Sequence, residues 1–142
     1  MRGVILDSDS FNRGDLDTAA LDNALDHWTH HRSTMSDEVP KRLEGYEVVV
    51  TNKVVIDATA MESSALRLIV VAATGTNNID LAAAARRGIT VCNVRDYASA
   101  AVSQHVFSLV LALVTHLGDY TRAVGQGRWQ QSKVFCMLDY PI

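Results

Sequence analysis

Strand-like runs recur along the chain at residues 3–7, 27–32, 46–52, 66–74 and 89–94, and the stretches between them carry helical spacing. Strands alternating with helices predict βαβ units and a parallel sheet. The first helix is expected to start near Asp15, with Asp15 and Asp17 at its N-terminal end and Leu16, Ala20, Ala24 and Leu25 turned inward. A second is expected from Ser36, with Asp37, Glu38 and Pro40 in its first turn and Val39 and Leu43 four apart on one face, and Gly45 stops it. Asp57 can cap a short third helix, where Ile56 and Met61 have the spacing of a hydrophobic staple.

The strongest pattern lies at 66–88, LRLIVVAATGTNNIDLAAAARRG. Its apolar run shows almost no polar alternation, which suits a strand buried on both faces. Gly75 breaks that run, and we expect it to leave the strand in a backbone conformation closed to other residues, with no side chain between main chain and ligand. Asp80 is placed as an N-cap, Ala82 to Ala85 favour helix, Arg86 and Arg87 suit the C-terminal end, and Gly88 fits a left-handed cap. The loop between, Thr76-Asn77-Asn78, is ringed by backbone N–H groups, and a small anion such as a carboxylate is its natural guest. Any βα connection of a doubly wound sheet shares this pattern, so the residues alone leave a ligand site and an ordinary connection both open.

From Ser99 the character changes, and the segment to Trp129 predicts a helix of roughly five turns that is apolar almost all round between Val106 and Val114. Such a helix has to be buried on every side, and a sheet already covered by its own helices offers no room for it. A second domain, a second subunit, or both are expected to cover it. The residues after Trp129, QQSKVFCMLDYPI, have no clear period.

Composition narrows the classes. The chain has 142 residues, 48% hydrophobic and 20% charged, ordinary for a soluble globular domain. A net charge of -3 leaves no basic footprint for nucleic acid. The apolar run after Arg2 is too short for a signal peptide, and the longest apolar segment is too short for a membrane span. Cys92 and Cys136 have no metal-type spacing, so reduced thiols in a cytoplasmic protein are expected.

Other constellations are weaker. His27, His30 and His31 could clamp a metal from one helix, but they read better as a partly exposed strand whose neighbouring side chains face opposite ways, so no metal site is assigned. His105 and His116, eleven residues apart on a continuous helix, would share a face and satisfy neighbouring polar groups. Asp7 and Asp9 after the first strand, with Asn52 and Lys53 after the third, have the placement of a phosphoacceptor receiver site. Asn52 cannot accept a phosphoryl group, and Lys53 then reads as a cation facing an anion site. No GxGxxG occurs, and Gly125-Gln126-Gly127 follows a helix, the wrong context for a dinucleotide turn.

Taken together, Asn52-Lys53-Val54, ATGTNNIDLAAAARRGITVCNV at 73–94, SAAVSQHVFSLVLAL at 99–113 and GRW followed by FCMLDYPI resemble the D-isomer-specific 2-hydroxyacid dehydrogenases, in their glycerate dehydrogenase (hydroxypyruvate reductase) branch. The resemblance implies a flavodoxin-like α/β substrate-binding domain over 1–96 and, over 97–142, a long helix crossing into an NAD(P)-binding Rossmann domain. It implies that the chain is the N-terminal portion of an oxidoreductase moving hydride between NAD or NADP cofactors and a small 2-keto or 2-hydroxy acid, inactive alone. Backbone amides at Thr74, Gly75 and Thr76 would hold the substrate carboxylate, Asn52 and Lys53 would line the same cleft, and Val102 would pack near the nicotinamide. A homodimer through the helix at 99–117 is implied as well. The family's catalytic Arg, Glu and His lie beyond this sequence, so no catalytic residue is assigned and His105 is not promoted to one. Asn77 stands where many members carry Asp. The competing reading is a non-catalytic module of the same fold that binds a small anion or dimerises.

Overall fold

The structure, a computed structural model, describes residues 1–134. The segment FCMLDYPI, on which part of the resemblance rests, lies outside the described residues, Cys136 included.

Two compact units divide at Arg95 and Asp96. The first is built on five strands, β1 (Arg2–Ile5), β2 (His27–His30), β3 (Val48–Thr51), β4 (Leu68–Val71) and β5 (Thr90–Asn93), the last four within their expected runs and β1 starting one residue before its own. All neighbours pair in parallel, in the order β2-β1-β3-β4-β5. That is the flavodoxin-like order, with the direction of winding reversing between β1 and β3. Between the strands lie α1 (Ala19–Asp22), α2 (Val39–Leu43), α3 (Ala58–Glu62) and α4 (Leu81–Arg86).

One face of the sheet is closed. Val4, Leu6, Val49, Ile69 and Val71 form a continuous core with Val39 and Leu43 of α2, Met61 of α3 and Ala83 and Ala84 of α4. Leu68 and Val70 point to the other face and are only partly buried. β4 is therefore fully buried on one face and only partly buried on the other, short of the burial on both faces that its apolar run suggests.

The helix termini explain why these elements stop and start where they do. Asp57 accepts the N–H of Ala60 at 2.8 Å and Asp80 accepts that of Ala83 at 2.8 Å, so both are the N-caps the sequence indicates. Ile56 and Met61 are fully buried beside the first of them. Gly45 and Gly88 both take left-handed conformations, ending α2 and α4. Before α2 comes a single 3-10 turn, Ser36–Glu38, in which Glu38 accepts the N–H of Met35 at 2.8 Å.

The first helix differs from expectation. It starts at Ala19 and lasts one turn, and Leu16, Ala20 and Ala24 are exposed. The chain from Asn12 is instead held by local side-chain turns, with Asn12 Oδ1 accepting from Gly14 and Asp17 Oδ1 from Ala19. Asn and Asp compete for backbone donors in this way, which shortens helices. The apolar cover comes from Trp28, whose indole donates to Leu21 O at 2.8 Å and, with Leu25, fills the space beside Gly3.

The second unit contains α5 (Ser99–Val114), α6 (Leu117–Gly125) and α7 (Arg128–Gln131) rather than one helix. His116 adopts a left-handed conformation, φ 51°, and Thr115 Oγ1 turns back onto Leu111 O. These close the first helix, and α6 leaves at 61° to it. His105 and His116 therefore do not share a helix face. No single helix among the described residues is long and apolar enough to cross a membrane. Within α5 no residue is fully buried.

Candidate functional site

The carboxyl ends of β1, β3 and β4 carry the polar residues, and the loops there are stitched to one another. After β3 the chain runs through 52–57, and after β4 through 72–80. Ile56 N–H donates to Asn78 O at 2.9 Å and Asp80 N–H to Ile56 O at 3.1 Å, forming one parallel bridge between the loops. Asn78, which is buried, donates its amide to Val54 O at 3.0 Å. Thr51 Oγ1 accepts from Val54 N–H, tightening the turn at the end of β3.

A cavity of about 140 Å³ opens between these loops, lined by Asn52, Lys53, Ala73, Gly75, Asn77 and Asn78. Ligand pockets for drug-sized molecules start at roughly 300 Å³, so this one fits the head group of a small acid. Among the described residues, Lys53 is the only charged one lining it. Its ammonium makes no ion pair among the described residues.

The β4–α4 loop supplies donors. Among the described residues the N–H groups of Thr74, Gly75 and Thr76 donate to no protein acceptor, whereas Thr74 O and Thr76 O are taken by Asn93 Nδ2 at 2.7 Å and Ile79 N–H at 3.0 Å. Two of the three carbonyls are occupied while all three donors are left over, which is the polarity a carboxylate needs. Of the residues the sequence indicates, Asn52, Lys53 and Gly75 line the cavity, while Thr74 and Thr76 flank Gly75 in the chain. Val102 lies on α5 in the second unit.

Gly75 corrects one expectation. Its backbone lies outside the left-handed region, so conformational freedom is not why glycine stands there. A Cβ at this position would lie 3.2 Å from Asn77 Oδ1, a close contact to which the exposed Asn77 side chain would have to yield.

Asp7 is the residue whose role the sequence reading missed. It follows β1, is 5% exposed, and its carboxylate accepts the N–H of Asn52 at 3.0 Å, the N–H of Lys53 at 2.7 Å and the hydroxyl of Ser10 at 3.0 Å. Asn52 Nδ2 in turn donates to Ser10 O at 3.1 Å. The partners of Asp7 are main-chain groups 45 and 46 residues away, and no local pattern announces such a bond.

The histidines of β2 lie elsewhere: His27 approaches Thr29 Oγ1 at 3.3 Å and His30 approaches Asp22 at 3.8 Å. Arg32 is drawn to Asp9 at 3.0 Å. A dinucleotide cradle is not formed by the described residues. Gly127 lies between α6 and α7, not after a strand.

Comparison with known proteins agrees with this architecture. A glycerate dehydrogenase of Methylorubrum extorquens is 41% identical over 134 residues, covering 92% of this chain and 43% of that protein. A hydroxypyruvate reductase of Blautia hydrogenotrophica is 32% identical over 145 residues, covering 100% of this chain and 45% of that protein. The chain thus spans less than half the length of these curated relatives. Among solved structures, an acyclic imino acid reductase in complex with NADPH and D-Arg matches with a TM-score of 0.77 at 19% identity, over 95% of this chain and 43% of that one. The apo D-lactate dehydrogenase of Escherichia coli matches with a TM-score of 0.63 at 19% identity, over 98% and 43%. At those identities the likeness is one of fold. Residues 7–130 match the family model of the D-isomer specific 2-hydroxyacid dehydrogenase catalytic domain, and the chain belongs to that family.

Proposed function

We propose that this chain provides the substrate-binding part of an NAD(P)-dependent oxidoreductase acting on a small 2-keto or 2-hydroxy acid of the hydroxypyruvate and D-glycerate type. The observation that carries the reading is the cavity at the ends of β3 and β4, where unspent N–H groups at Thr74, Gly75 and Thr76 adjoin Lys53 in a space that fits a small carboxylate. Family membership narrows the acid, since relatives of this chain are a glycerate dehydrogenase and a hydroxypyruvate reductase.

The contribution of these residues is binding and orientation. The three N–H groups fix the carboxylate, and the Lys53 ammonium adds charge attraction in a partly enclosed site. Fixing the carboxylate at one end of a short acid also fixes the direction of its carbonyl, which holds the acid in a reactive orientation. Asn52 borders the same cavity. When bound, the nicotinamide supplies or accepts the hydride. We place the dinucleotide cradle outside the described residues, with 97–142 as the passage toward it and Val102 near the nicotinamide. We place the general acid or base outside this chain too, which makes residues 1–142 inactive alone. A homodimer through the helix at 99–117 and a cytoplasmic location, where the exposed Cys92 thiol stays reduced, complete the reading.

The test is expression of the complete reading frame that encodes this chain. Hydroxypyruvate-dependent oxidation of NADH or NADPH is the expected result, with none from residues 1–142 alone. Binding of D-glycerate without turnover by the intact protein would favour a non-catalytic anion-binding module instead. Neither turnover nor binding of any small 2-keto acid would end both readings.

A further inference from the structure

Asn52 and Lys53 border the cavity together, yet their main chains are held from below by a group that does not line it. The Asp7 carboxylate sits at the reversal of winding between β1 and β3, buried, with Oδ1 on Asn52 N–H at 3.0 Å and Oδ2 on Lys53 N–H at 2.7 Å. Ser10 adds a hydroxyl to Oδ2 at 3.0 Å and its carbonyl to Asn52 Nδ2 at 3.1 Å. Two consecutive N–H groups are therefore pinned at their hydrogen-bonding edge, and a third bond pins the Asn52 side chain.

From this geometry we infer that Asp7 is a positioning residue for substrate binding, acting through Lys53. The inference rests on the function proposed above. The main-chain N–H groups of Asn52 and Lys53 are both spent on Asp7, so what these two residues can still offer an anion is the Lys53 ammonium, carried on a backbone whose course Asp7 sets, and one hydrogen of Asn52 Nδ2. The other hydrogen of Asn52 Nδ2 is spent on Ser10, which makes Asn52 chiefly a strut and Lys53 the ligand of the pair.

A carboxylate suits this place. Asn52 N–H is shared between Oδ1 at 3.0 Å and Oδ2 at 3.2 Å, Lys53 N–H goes to Oδ2, and the Ser10 hydroxyl is shared between Oδ2 at 3.0 Å and Asp7 O at 2.7 Å. The isosteric amide of Asn would turn an NH₂ toward at least one of these donors, leaving a buried donor facing a donor. Asp9, two residues on, is exposed and pairs with Arg32, so it does not substitute.

The test is Asp7→Asn in the intact enzyme, with four readouts. KM for the 2-keto acid should rise about tenfold or more while kcat stays within about threefold and KM for NAD(P)H is unchanged, the signature of lost ground-state binding of one substrate. In a Lys53→Met background, Asp7→Asn should add less than about twofold to KM, because the two act as one unit. Ser10→Ala, which removes one donor and spares the carboxylate, should move KM the same way by less. The amide hydrogens of Asn52 and Lys53 should exchange faster in Asp7→Asn by roughly tenfold or more, since they lose their acceptor. An unchanged KM with a lowered unfolding temperature would make Asp7 purely structural and overturn the inference, as would full additivity with Lys53→Met. Absence of turnover in the wild-type enzyme would instead count against the proposed function. In that case the exchange measurement still decides the clamp: acceleration supports it and unchanged protection overturns it.

Discussion

An added side chain at Gly75 would intrude on the cavity. Its neighbour Asn77 Oδ1 would lie 3.2 Å from an added Cβ, on the cavity wall and beside the unspent N–H groups. Gly75→Val is expected to raise KM for the 2-keto acid by about 10- to 100-fold, equivalent to losing one charge-assisted hydrogen bond of roughly 1.5–3 kcal/mol. The unfolding temperature should hardly move, because Gly75 is exposed and outside the left-handed region. Steady-state kinetics beside a thermal melt checks both halves. His31 behaves differently. Burial holds its imidazole below the ordinary histidine range, Arg42 adds to this and Glu38 opposes it. The unfolded chain therefore takes up this proton more readily than the native one, so stability present above about pH 6.5 is lost as pH falls through the histidine range. Urea unfolding at a series of pH values should show that slope, and His31→Gln should flatten it. Glu38, lowered chiefly by the Met35 N–H and further by Arg42, loses its contribution only at more acidic pH, in the carboxylate range. The sequence revealed Gly75 and Lys53 because each has a local signature, a broken apolar run and a lone cation after a strand. It did not reveal Asp7, whose partners are defined only once β1 and β3 lie side by side.

At the scale of the element, legibility followed the presence of a cap. Asp57 and Asp80 stand directly before apolar helical residues, and both accept the third N–H beyond them. Asp80→Ala should cost about 1 kcal/mol, near the centre of measured N-cap losses. For a unit of this size that lowers the unfolding temperature by about 4–8 °C. KM for the 2-keto acid should move little, because the bond tying the cavity loop to its neighbour runs from the main-chain N–H of residue 80 to Ile56 O, and alanine keeps it. An unfolding temperature unchanged within error would mean that α4 is held by packing alone. Where caps were absent the pattern misled. Asp15 and Asp17 resemble a helix start, but their side chains serve backbone N–H groups two residues away, at Arg13 and Ala19, and the helix waits until Ala19. The segment from Ser99 stays largely apolar through Leu117, and the left-handed His116 with the Thr115 hydroxyl turned onto Leu111 O ends α5. Histidine carries no strong stop signal, so the break is set by tertiary and backbone circumstances that periodicity does not record.

For the whole molecule the question is what covers α5. Its sequence is apolar on all sides, yet Phe107 is 67% exposed, Leu111 59% and Leu113 74%, and no residue of the helix is fully buried. Complete burial of such a side chain is worth about 1.5–3 kcal/mol, so leaving several uncovered forgoes more than the net stability of many domains. A soluble chain does not retain such a face without a use for it. If the proposed homodimer through 99–117 supplies the cover, its interface is isologous, and a charge placed in it appears twice about the dimer axis. The intact protein should then sediment as a dimer at micromolar concentration and melt at a temperature that rises with concentration. Leu111→Glu should shift the population toward monomer and abolish that concentration dependence. The cavity between the loops after β3 and β4, built from residues of the first unit, should keep its contacts in the variant. A wild-type protein that sediments as a monomer, with a melting temperature independent of concentration, would show that the α5 face is covered from within its own chain.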